Sequence, residues 1–155
     1  MAEIRFYQLL WTPLEEALPK LLERLRAMDA RCLVVAPTRE RVEALDLLLW
    51  TYDPPGFLAH GSAAIGFASD QPIWLTHLDE NPNGATAVLL VEGAIIADPD
   101  RFEHCLDIFD GTDVDQLEAA RGRYREMRAK GHVLKYFEQT DRGWSAGKTT
   151  AKVAP

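Results

Sequence analysis

Most of the patterns that announce chemistry are missing from this chain. Its four histidines and two cysteines show no H-x-x-x-H or C-x-x-C spacing, which argues against a zinc site. There is no G-x-S-x-G, and no G-x-G-x-x-G follows the first or second predicted strand. Gly147-Lys148-Thr149-Thr150 resembles the end of a P-loop, but that motif needs a glycine five residues earlier. Arg142 stands there, Gly143 is one residue too late, and nothing apolar follows to build the phosphate-holding helix. No catalytic residue is therefore assigned, and no metal or cofactor is expected.

Long apolar runs are also absent. Nothing approaches the roughly 20 residues of a membrane-spanning helix. The opening MAEIRFYQLLWTPLEEAL has no basic stretch leading into an apolar one, so no signal peptide, a cytoplasmic location and no membrane partner are expected. Cys32 and Cys105 are far apart and embedded in apolar surroundings. They read as reduced, buried and inert.

What is present is a chain of 155 residues, 47% hydrophobic, long enough for one well-filled domain. Ile4–Leu10 reads as a strand. Thr12-Pro13 opens a helix carrying Leu14, Leu18, Leu21, Leu22 and Leu25 at helical spacing, with Pro19 marking either its start or a bend. Arg31–Ala36 is a β-branched run of the fully buried kind, and Thr38 caps a helix over Arg39–Trp50. Asp53-Pro54-Pro55-Gly56 stops that helix, and Phe57–Gly61 is a loop or short extended piece. Pro72–His77, Thr86–Val91, His104–Phe109 and Val133–Gln139 are further strands, although Arg101–His104 also suits a helix. The strongest helix is Val114–Lys130, with Thr112 or Asp113 as cap, acids early, bases late and Gly131 as its stop. Alternation of strands and helices implies an α/β sheet covered on both faces, with a domain over 1–144 and a disordered tail over 145–155.

Charge is distributed unevenly. From Arg121 to Lys152 nine cations face three carboxylates, a balance of +6, so the first 120 residues hold −13 to give the overall −7. Such asymmetry points to an anionic partner at the end of the chain. On the last helix, at about 100° per residue, Arg121, Arg125 and Arg128 fall within a sector of roughly 60°. They border an apolar face holding Leu117, Ala120, Tyr124 and Met127, while Arg123 points elsewhere. Guanidinium forks beside an apolar shelf suit a peptide with acidic residues, an apolar or aromatic anchor and a terminal carboxylate. The plainer alternative is a solvated face with local pairs from Glu118 to Arg121 or Arg125. Asp107, Asp110, Asp113 and Asp115 are similarly open to two readings, a divalent-ion cluster or helix capping and turn formation; the second is simpler.

Several segments, in order, resemble the chi subunit family of bacterial DNA polymerase III. They are Phe6-Tyr7-Gln8-Leu9; Leu49-Trp50 with Phe57-Leu58-Ala59-His60-Gly61; Asp107-Ile108-Phe109-Asp110-Gly111; Ala120-Arg121-Gly122-Arg123-Tyr124-Arg125; Ala129-Lys130-Gly131-His132; and Tyr136-Phe137-Glu138-Gln139. Ala59 departs from the family's usual proline, and Arg125 stands where some members carry lysine.

The resemblance implies a single three-layer, Rossmann-like α/β domain with a mostly parallel sheet and no functional nucleotide-binding loop. It implies a non-catalytic accessory subunit of the clamp-loader assembly in DNA replication. The implied partner is the acidic, phenylalanine-ended C-terminal tail of single-stranded DNA-binding protein, held by Arg121, Tyr124 and Arg125, with Phe109 nearby; Arg128 is added from the helical geometry. Trp50 and Phe57 match the segment that meets psi or another clamp-loader subunit, and Trp50 equally suits plain core. The competing expectations are a nucleotide-binding α/β enzyme and a weak single-stranded-DNA-binding module using Arg142, Lys148 and Lys152.

Overall fold

The computed structural model describes residues 3–51 and 58–150. The elements follow in the order β1 (Glu3–Leu9), α1 (Leu14–Ala27), β2 (Cys32–Val35), α2 (Arg39–Thr51), β3 (Gly61–Ser62), β4 (Ile73–Thr76), β5 (Ala87–Val91), β6 (His104–Asp110), α3 (Val114–Ala129), β7 (Val133–Gln139) and β8 (Trp144–Thr150). The strands form one sheet in the order β3-β4-β2-β5-β6-β1-β7-β8. Every pairing is parallel except the β7–β8 hairpin.

This is a three-layer α/β domain of Rossmann-like design. One face of the sheet packs under α1 and α2, with Leu18, Leu22 and Leu45 fully buried against Cys32, Val34, Leu89 and Ile108. The other face carries Ile4, Phe6, Leu33, Val88, Cys105 and Phe109 beneath α3. Burial on both faces explains why β2 and β5 are apolar throughout rather than alternating.

The helix starts follow their side chains. Thr38 Oγ1 accepts from the Arg41 N–H at the start of α2, and the Asp113 carboxylate accepts from the N–H groups of Asp115 and Gln116 at the start of α3. Gly131, at φ +88°, turns the chain out of α3. Helix α1 begins at Leu14 and runs through Pro19, which is buried within it.

One expectation is overturned. Residues 145–150, read from sequence as part of a disordered tail, belong to strand β8, which pairs antiparallel with β7. The turn at Thr140–Gly143 makes this possible: the Thr140 N–H donates to the Gly143 carbonyl, and Thr140 Oγ1 accepts from the Gly143 N–H. Trp144 then packs edge-on against Tyr7, with centroids 5.0 Å apart. Residues 151–155 lie outside the described residues.

Both cysteines are free and buried, and burial pushes each thiol up to about 12. The thiolate is the reactive form. Neither cysteine should therefore react with a thiol reagent at pH 8 until denaturant is added; fast labelling of the folded protein would contradict this packing.

Candidate functional site

The ridge of α3 overlies a hollow built from three adjacent strands. Register places Phe109 of β6, Gln8 of β1 and Glu138 of β7 in one row across the sheet. Asp107, Phe6 and Tyr136 form the next row, two residues toward the strand starts. Alternation of side chains along a strand directs both rows to the same face, the one beneath α3. Tyr124 packs edge-on against Phe6 with centroids 5.3 Å apart, and Tyr136 lies 6.2 Å from both Tyr124 and Phe109.

Between these groups lies a groove of about 490 Å³ lined by Gln8, Phe109, Arg121, Tyr124, Arg125, Tyr136 and Glu138. Phe109, at 1% exposure, forms its floor. The apolar surface open to a ligand is chiefly the half-buried rings of Tyr124 and Tyr136. The Tyr136 hydroxyl donates to Gln8 Oε1. Burial, together with the nearby Glu138 carboxylate, pushes that hydroxyl up to about 12, so it stays protonated and keeps donating. Gly111 makes room for Gln8: a Cβ at position 111 would lie 2.3 Å from Gln8 Cγ.

The three ridge arginines differ in setting. Arg121 is exposed and pairs with Glu118 at 3.0 Å, so the local-pair alternative holds for this one residue. Arg125 is exposed and makes no ion pair with a described residue. Arg128 is half-buried and does not line the groove. Arg123 points away from the ridge, as its angle on the helix implies, and does not line the groove; it reaches down to the sheet. Its Nε and Nη2 donate to the two Asp107 oxygens at 2.6 and 2.9 Å. Burial pushes the Asp107 carboxyl up, while the Arg123 guanidinium pulls it back. Asp107 is thus the ionic anchor of α3. Asp110 and Asp113 bind local N–H groups in the turn and cap, and no metal-holding cluster occurs among the described residues.

Trp50 lies on α2, across the sheet from this groove. It is 48% exposed and packs at a tilt against His60 with centroids 4.7 Å apart, so it is not plain core. One turn earlier Leu47 is also exposed. Phe57 lies outside the described residues.

Sequence reasoning missed Gln8 and Tyr136 as groove residues. Nothing in their local sequence marks them, because strand register alone brings them beside α3. It also missed Gln139. This side chain crosses from β7 to the β1–α1 loop, where its Oε1 accepts from the N–H groups of Leu10, Trp11 and Thr12 at 2.8–3.0 Å. Its Nε2 donates to Thr12 Oγ1 at 2.6 Å. In α/β sheets the loop after the first strand often holds phosphate on such N–H groups. Here the chain's own amide takes them.

A family model described as "DNA polymerase III chi subunit, HolC" matches residues 1–135. A relative named "Probable DNA polymerase III subunit chi", from Rickettsia prowazekii (strain Madrid E), is 28% identical over 82 residues. That alignment takes in 53% of this chain and about half the length of the curated relative. No helix among the described residues is long and apolar enough to cross a membrane. With a family match extending over most of its length and an α/β architecture in agreement, the chain belongs to the DNA polymerase III chi subunit family.

Proposed function

We propose that the α3 groove binds the acidic, phenylalanine-ended C-terminal tail of single-stranded DNA-binding protein. The protein then acts as a non-catalytic adaptor, tethering the clamp-loader assembly to coated single-stranded DNA. The observation that carries this reading is the aromatic hollow of Tyr124, Tyr136 and Phe109 edged by the guanidinium groups of Arg121 and Arg125. The rings accept the terminal phenylalanine, and the arginines meet the terminal carboxylate and neighbouring acids through charge-assisted hydrogen bonds.

Each such bond contributes about 1.5–3 kcal/mol. After the cost of ordering the tail, a single site binds at roughly micromolar strength. Several tails on one DNA-bound protein raise the local concentration and give avidity. Trp50 and the exposed Leu47 on α2 offer a separate face to psi or another clamp-loader subunit. The rival nucleotide-binding reading is disfavoured by Gln139, which occupies the backbone donors a phosphate would need. Direct DNA binding is weak in this scheme, because the first 120 residues repel the phosphate backbone.

Fluorescence anisotropy with a labelled acidic peptide ending in Pro-Phe tests the proposal. Wild type should bind, more weakly as salt rises. Arg125→Ala should lose about 1–3 kcal/mol, in the range of a truncated hot spot. Failure of the wild-type protein to bind the peptide at low salt would reject the adaptor.

A further inference from the structure

The groove is not uniformly cationic. Glu138 stands on its β7 wall, in the same row as Gln8 and Phe109 and opposite the arginines of α3. Its side chain is exposed and makes no hydrogen bond or ion pair with a described residue. Its field reaches the Tyr136 hydroxyl, where it and Arg121 act in opposite directions. A ligand lying in the groove over Tyr124 and Tyr136 therefore meets positive charge on one side and negative charge on the other. A carboxylate placed toward β7 is repelled, whereas a peptide N–H or a cationic side chain placed there finds an acceptor.

We propose that Glu138 is a specificity-determining residue of this groove: it bars ligand carboxylates from the β7 wall and confines an acidic peptide's negative charges to the side lined by Arg121 and Arg125. This rests on the peptide-binding reading of the groove. The consequence is selection among acidic peptides. One whose carboxylates lie on one flank of its aromatic anchor is accepted, and one that is acidic all round is resisted. Glu138 thus lowers affinity for the most acidic ligands and restricts which ones bind, a use of repulsion for specificity.

The test uses the full chain, wild type alongside Glu138→Gln and Glu138→Lys. Anisotropy is read with two labelled peptides ending in Phe. One has acids only near its terminus; the other has every non-terminal position acidic. The substitutions are at an exposed position, and circular dichroism should show the fold unchanged. For the all-acidic peptide, Glu138→Gln should tighten binding about threefold, the size expected of one exposed charge pair, and Glu138→Lys about tenfold, because it removes a repulsion and adds an attraction. The gain should be smaller for the less acidic peptide and shrink for both as salt rises. Wild-type binding that neither substitution alters, or that tightens equally for both peptides, overturns the role of Glu138 and leaves peptide binding standing. No binding by any of the three proteins removes the peptide-binding reading itself, and this inference with it. Binding by Glu138→Lys alone, with Glu138→Gln silent, reports only the added cation and overturns the role of Glu138.

Discussion

Arg123→Ala should destabilise the fold by about 3–5 kcal/mol, the range for breaking a buried ion pair by removing one partner. The Asp107 side chain is 4% exposed and both its oxygens are held by the Arg123 guanidinium. Truncating Arg123 leaves a carboxylate with neither water nor a counter-charge. The deficit should also depend on pH. Burial already holds the Asp107 carboxyl above its unfolded value of 3.8, and losing Arg123 removes the opposing pull, so its folded value rises further. A group raised on folding contributes most below its unfolded value, and that contribution is lost as pH climbs through the folded value. The gap between variant and wild type should therefore be small in acid and widen toward neutrality. Urea denaturation at several pH values measures it. A deficit constant with pH would mean that lost packing of the arginine stem, rather than stranded charge, is the cause. The double variant Asp107→Leu with Arg123→Met should recover most of the loss, since apolar replacement of a buried pair is often neutral or stabilising.

Tyr124→Ala should nearly abolish peptide binding, with a loss of about 2–3 kcal/mol, toward the upper part of the hot-spot range. Tyr124 has two duties. Its ring packs on Phe6 and Tyr136, holding α3 against the sheet, and its outer surface forms one wall of the groove. Truncation lowers stability as well, by about 2 kcal/mol for a half-buried ring, less than the 3–5 typical of a fully buried aromatic. Binding must therefore be measured well below the variant's melting transition. Tyr124→Phe keeps the ring and should bind within a few-fold of wild type. If Tyr124→Ala binds as well as wild type while folded, the peptide does not rest on the Tyr124 ring and the groove is not its site.

The uneven reach of sequence reasoning has a physical pattern. Helix α3 was legible because its determinants are local: a capping aspartate, acids early, bases late and a glycine stop all act within a few residues of one another. The buried strands β2 and β5 were legible as unbroken apolar runs. Strand β8 was not, because its existence depends on the turn at Thr140–Gly143 and on Trp144 finding Tyr7, neither visible in a segment that reads as polar and lysine-bearing. The cationic border of α3 could be placed by angle alone, with Arg121 and Arg125 now on the groove rim. The same angular argument set Arg123 apart from that border, and it does not line the groove, but its partner Asp107 was not legible, because only β6 decides what the long side chain meets.

The order of residues by itself determined the α/β class, the sites of the helix caps, the acidic body with its basic end and the arginine-edged face of α3, because each follows from periodicity or charge within one segment. Only the tertiary structure decided that Phe109, Gln8 and Glu138 form a row, that Tyr136 faces Tyr124, that Arg123 holds Asp107, and that Gln139 takes the backbone donors of the first loop. Those contacts join residues as many as 129 positions apart. They depend on strand order and register, which no local pattern encodes.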